Sequence, residues 1–163
     1  MLRATIKMRF LLVVVGKMKD SSIHAACKEY TARVRRHSKL DIREVRDSGR
    51  SDRQAVEARR DEGKALLRAV PAGARIVALT RTGVGETSSQ LAKRLASWRD
   101  HGLDVAFVVG GAHGLSDEVL SRADLKMSIS SLTLPHELAR LVLLEQLYRV
   151  CTIWRGEPYH KGG

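Results

Sequence analysis

The chain has 163 residues, 44% of them hydrophobic and only 4% aromatic, which suits one ordinary domain with an aliphatic core and excludes a disordered chain. Its formal charge is +11, and residues 1–70 carry 18 of the 29 basic groups against 9 of the 18 acidic ones. A basic half on a folded domain points to RNA or DNA, because Lys and Arg at phosphates release condensed counterions; the alternative is a solvated basic face that serves solubility alone.

Residues 1–7 show no pattern and read as a non-native or disordered extension, with Met8 as a candidate start. The apolar run Phe10–Val15 is followed at once by Lys17, Lys19 and Asp20. Six residues are too few for a secretion signal and suit a strand covered on both faces. A helix follows, with Ile23, Ala26, Cys27, Tyr30 and Val34 on its apolar side, caps at Asp20 to Ser22, and Arg33, Arg35, Arg36 and Lys39 outside. Leu40–Asp47 is a weak strand and Ser48–Ser51 a flexible basic loop. A second helix, capped by Ser51 or Asp52, runs toward Val70 on Ala55, Val56, Ala58, Leu66 and Leu67, and Pro71 and Gly73 end it.

The third strand is expected over Arg75–Thr80, with a loop from Arg81 to Thr87 leading to a helix capped by Ser88 or Ser89. Leu91, Ala92, Leu95 and Trp98 form its stripe, and Gly102 stands where a C-terminal cap belongs. Val105–Val109 is the fourth strand, Gly110–Gly114 a tight turn, Ser116–Ala123 a short helix, and Leu125–Ser130 the fifth strand. The last helix, Glu137–Cys151, is apolar nearly all round; such a helix is buried on several sides, and a homodimer would cover it. Strand and helix alternate throughout, so the expected fold is α/β, a single domain with a mostly parallel five-stranded sheet. Cys27 and Cys151 have neither disulfide-framework nor zinc spacing, and no metal cluster or hydrolytic triad is evident. Two buried thiols suit a reducing, cytoplasmic setting, and no stretch has the length of a membrane span.

Ligands of parallel sheets sit beyond the carboxyl ends of the strands. The loops to read are therefore Leu79–Gly83, Gly110–Gly114 and Ser130–His136. A Gly-Gly turn alone is weak, because it also serves as a plain strand–helix turn. Leu79, Leu132 and Leu134 by themselves read equally as core leucines, and Ser130 and Thr133 as caps ahead of His136. In combination they say more. The string Ser130, Leu132–Arg140, then Glu145–Arg149, then Pro158–Lys161, with the opening Val15-Gly16-Lys17, resembles the RlmH (YbeA) family of the SPOUT superfamily, from about Met8 to Lys161.

That resemblance implies a SPOUT-like domain over residues 8–161 with a C-terminal trefoil knot, a homodimer, and methylation of N3 of a pseudouridine in large-subunit (23S) ribosomal RNA. It implies S-adenosyl-L-methionine as cofactor, with Leu79, Gly110, Gly111, Ser130, Ser131, Leu132, Thr133, Leu134 and Pro135 around it. Arg140, Tyr159 and His160 are the candidates for handling the target base, and His136, Arg155 and Lys161 for holding the RNA. An N3–H between two carbonyls is weakly acidic, so it needs a base or charge stabilisation. Trp154 and Tyr159, set among cations, offer faces for stacking on bases; the plainer reading is a tail packed on the dimer surface. Glu145 and Arg149, one turn apart, read best as a pair that satisfies itself. Two alternatives remain: a non-catalytic ribosome-binding factor, and a related knotted enzyme acting on transfer RNA. Either the free ribosomal RNA or the assembled ribosome could be the substrate.

Overall fold

A computed structural model describes residues 8–159. Residues 1–7, His160 and Lys161 lie outside the described residues. The elements run in the order β1 (Arg9–Val15), α1 (Ser21–Arg35), β2 (Lys39–Val45), a 3-10 turn (Asp52–Gln54), α2 (Ala55–Ala69), β3 (Arg75–Gly85), α3 (Ser88–Asp100), β4 (Val105–Val109), α4 (Asp117–Arg122), β5 (Leu125–Ser128) and α5 (His136–Trp154). The five strands form one sheet in the order β2-β1-β4-β3-β5, and every pairing is parallel.

Alternation along β1 splits the core in two. Phe10, Leu12 and Val14 pack with Phe107 under α1, α3 and α5, through Cys27, Val34, Leu91, Leu95, Leu143 and Leu147. Leu11, Val13 and Val15 face the other layer, where Leu66 of α2 and Val119 of α4 cover them. The sheet is therefore closed on both faces, which is why β1 and β4 are continuous apolar runs.

Several boundaries differ from the sequence expectation, each for a local reason. β3 runs to Gly85 rather than ending at Thr80. Leu79 and Val84 both pair with Met127, so residues 80–83 bulge out and the strand then resumes. Gly83 permits this: a Cβ there would lie 2.6 Å from the Met127 backbone. β5 stops at Ser128, two residues early. The cap of α3 is Thr87, not Ser88 or Ser89, because Thr87 and Gln90 form a reciprocal capping box. Val56 is 67% exposed and belongs to no core stripe. Asp20 caps α1 as expected, accepting from the N–H groups of Ser22 and Ile23, and Gly102 has the left-handed φ of +71° that ends α3.

α5 extends three residues beyond Cys151, and this changes the reading of Trp154. The indole closes the helix, stacks on Phe10 at 6.1 Å, and donates Nε1–H to the Ala92 carbonyl at 2.9 Å. The Arg99 guanidinium lies 4.4 Å from the ring centroid. These partners occupy the ring, so Trp154 serves the packing of α5 on the sheet in this structure.

Candidate cofactor cavity

The strand order decides where the loops meet. β4, β3 and β5 are neighbours, so the chain leaving each of them emerges at the same edge of the sheet. There the loops enclose a cavity of about 570 Å³, within the range of ordinary small-molecule sites. Leu79, Gly110, Gly111, Ser130, Leu132, Thr133, Leu134 and Pro135 all line it, together with His136. Ser131 is exposed and does not. The lining that went unassigned in the sequence includes Thr80, Arg81, His113, Ser128 and Ile129. His113 follows the end of β4, so the rule that selected the loops reaches it; Thr80 and Arg81 lie inside β3, and the bulge after Leu79 is what brings them to the cavity.

Leu79 packs against the core as the plainer reading has it, while lining the cavity as well; the plainer readings of Leu132 and of the caps fail. Leu132 is 72% exposed and so is no core leucine. The residue preceding α5 is Pro135, and no side chain caps that helix. Ser130 instead accepts the Leu132 N–H at 3.0 Å, shaping the loop itself. Across the cavity the turn at 110–114 is closed by the Gly114 N–H bonding to the Gly111 carbonyl at 3.1 Å. A Cβ on Gly110 would meet the Gly114 carbonyl oxygen at 2.7 Å, so only glycine fits that turn. Arg59 of α2 donates to the His113 carbonyl at 3.4 Å, and the His113 Nε2–H donates to the Arg50 carbonyl at 3.2 Å. The turn is thus docked onto α2 and the basic loop ahead of it.

Of the groups expected to handle a substrate base, Arg140 and Tyr159 do not line this cavity, and His160 lies outside the described residues. Arg140 is 4% exposed. It donates to the carbonyls of Val15 and of Gly16, the latter at 2.8 Å, which ties α5 to the end of β1. It lines a different cavity, beside Cys27 and Leu144. Burial pushes its guanidinium below the usual range, and Glu44 and Glu137 partly offset that. Tyr159 folds back on α5: its hydroxyl donates to Glu145 at 3.2 Å and its ring meets Tyr148 edge-on at 4.8 Å. Burial, then bonding to Tyr30, then the Glu145 charge raise its phenol pKa. Glu145 also holds Arg149, with Nε at 3.0 Å, as the spacing of the pair predicts. Arg155 is exposed and pairs with Glu157 at 2.6 Å. Among the described residues no group of three His, Cys, Asp or Glu could hold a metal ion, and no helix is long and apolar enough to cross a membrane.

Comparison with known proteins then places the chain. The model of the family described as "Predicted SPOUT methyltransferase" matches residues 8–160. The chain belongs to the SPOUT methyltransferase family. Similar curated proteins named ribosomal RNA large subunit methyltransferase H come from Anaeromyxobacter sp. (strain Fw109-5), 44% identical over 94% of this chain and 100% of the relative, and from Gemmatimonas aurantiaca, 42% identical over the same shares. A third, from Burkholderia vietnamiensis, is 42% identical over 94% of this chain and 99% of its own length. The family assignment makes this chain a methyltransferase.

Proposed function

We propose that this SPOUT methyltransferase transfers a methyl group from S-adenosyl-L-methionine to N3 of a pseudouridine in 23S ribosomal RNA, acting in the cytoplasm as a homodimer. The observation that carries the reading is the convergence of the β3 bulge and the loops after β4 and β5 on one cavity. The residues present fit the cofactor. Leu79, Ile129, Leu132 and Leu134 offer apolar contact for the faces of an adenine, and the irregular backbone at 110–114 and 129–134 offers N–H and C=O groups for polar edges. When bound, S-adenosyl-L-methionine supplies an electrophilic methyl group on a sulfonium sulfur. What the chain adds is alignment and charge control. His136 and Arg81 stand at the lining, where they can meet the uracil ring and its developing negative charge. Arg140 works as a positioning residue, holding the Val15–Gly16 end of β1 against the first turns of α5, one residue from Ala139 at the cavity.

The tail needs a second copy. The cavity lies at the start of α5, whereas Tyr159 is packed on Tyr148, twelve residues along the helix and about 18 Å away at 1.5 Å per residue. A two-fold axis through the middle of an antiparallel α5 pair carries one tail to the other cavity. Tyr159 then reaches the RNA base held there, and His160, Arg155 and Lys161 are the tail residues we assign to act with it. No residue of α5 is fully exposed even in one protomer, and Leu138, Leu141 and Val142 remain partly open for a partner. A chain threaded as a trefoil knot fits the close passage of β3 over β5 at Gly83. The names of the relatives favour ribosomal RNA over transfer RNA.

The test is transfer of labelled methyl groups to large subunits, whole ribosomes and free 23S RNA that lack the modification. Incorporation at one pseudouridine is expected. Cofactor binding without transfer to any of the three would overturn the reading and favour a ribosome-binding factor. Sedimentation should give twice the monomer mass.

A further inference from the structure

Among the described residues the cavity lining contains Arg81, His113 and His136 but no Asp or Glu. A cofactor whose reacting centre is a sulfonium cation therefore meets no negative side chain directly. Behind the lining, however, stands Glu62 of α2. It is 4% exposed. Its Oε1 accepts the Ser48 N–H at 3.1 Å, while Oε2 is fully buried and has no hydrogen-bond partner among the described residues. No ion pair of Glu62 is found among the described residues. An unpartnered buried carboxylate oxygen is costly, and its position is specific. A Cβ on Gly111 would lie 3.3 Å from Oε2 and 3.1 Å from the Val15 side chain. The carboxyl group thus packs directly on the back of a glycine whose other side faces the cavity. The adjacent Gly63 sits as tightly on Ser116, where a Cβ would come within 2.3 Å of Oγ. The α2 backbone is therefore held close to the 110–116 segment, and the carboxyl group has little room to swing away.

We propose that Glu62 is an electrostatic positioning residue, a buried negative charge that acts through Gly111 to favour the cationic cofactor over its neutral product. The inference rests on the cavity being the S-adenosylmethionine site. Side chains on the lining would have to move with each ligand, whereas a charge behind a glycine is fixed and shielded from water, so its field is screened less than a surface charge. It would also assist turnover: methyl transfer removes the positive charge, and the S-adenosylhomocysteine left behind loses the attraction.

The test compares binding, not activity. Calorimetry gives the affinities of S-adenosylmethionine and S-adenosylhomocysteine for the wild type and for Glu62→Gln, which keeps the shape and the acceptor for Ser48. The expected result is an affinity for the cation lowered about tenfold more than that for the thioether. Equal losses for both ligands, or no loss for either, would overturn the proposal and leave Glu62 a packing residue. Should Glu62→Gln not fold, the wild type decides. Sinefungin, with a protonated amine in place of the sulfonium, must bind at least several-fold tighter than S-adenosylhomocysteine; equal or weaker binding refutes the inference. A wild type that binds none of these ligands refutes the cavity assignment itself, which is a different outcome.

Discussion

Replacing Gly83 by Ala puts one methyl group where the chain has no room. The new Cβ would lie 2.6 Å from both the N and the carbonyl C of Met127 and 2.7 Å from the carbonyl C of Lys126, whereas ordinary contact begins at 3.4 Å. All three atoms are backbone in β5, so no side chain can rotate away, and β3 and β5 must separate by several tenths of an ångström. Gly83 has no left-handed φ, so the penalty is overpacking rather than dihedral strain. Overpacking of this kind costs about 3 kcal/mol, which for a domain of this size lowers the melting temperature by roughly 6–12 °C. Gly85→Ala is the control. It lies two residues on, has nothing within 4 Å of its Cβ position and no positive φ, and should be neutral or gain up to about 1 kcal/mol. Urea unfolding of both variants gives the comparison directly. A Gly83→Ala midpoint equivalent to the wild type, or a Gly85→Ala loss as large, would refute the account of the β3–β5 crossing. Because β5 leads straight into the loop at 129–135, Gly83→Ala should also weaken S-adenosylmethionine binding, and Gly85→Ala should not.

Trp154→Phe removes the hydrogen bond to Ala92 and part of the stack on Phe10; we expect a loss of about 2 kcal/mol in denaturant unfolding, with the KM for RNA unchanged. A raised KM at unaltered stability would return Trp154 to the RNA site. Arg140→Met leaves the Val15 and Gly16 carbonyls without their donor and should cost about 1–3 kcal/mol, lowering stability and cofactor affinity together; a drop in kcat alone would instead place Arg140 at the reacting base. Burial pushes the Cys151 thiol from 9.0 up to about 11. The unfolded chain therefore releases this proton first as pH rises, so the stabilisation is intact below pH 9 and fades between 9 and 11, by about 2–3 kcal/mol in all. Unfolding at pH 8 and 10.5 should show a steeper loss in the wild type than in Cys151→Ala.

Much of the architecture was legible because its signals are local. Phe10–Val15 and Val105–Val109 read as strands from their short continuous apolar runs, Asp20 stands beside the helix it caps, and Gly102 stands where a left-handed cap belongs. The loops at 79, 110 and 130 were legible by a topological rule, since ligands of parallel sheets sit at strand ends. What the sequence could not show is adjacency across the chain. That β3 lies between β4 and β5, so that three distant loops share one cavity, is a property of sheet order, which no periodicity encodes. The bulge at 80–83 depends on a backbone from β5 passing within reach of Gly83, and the burial of Trp154 depends on Phe10 lying beneath the end of α5. Arg140 and Glu62 make the same point with charge. Both are polar letters on helices, and only packing decides that one is held by the carbonyls at the end of β1 while the other stands behind Gly111 with an oxygen unpaired. Local sequence sets which segments become helix or strand through short-range sterics and hydrogen bonding. Which of those segments become neighbours is settled by the burial of both faces of one sheet, a condition that only the whole chain can satisfy.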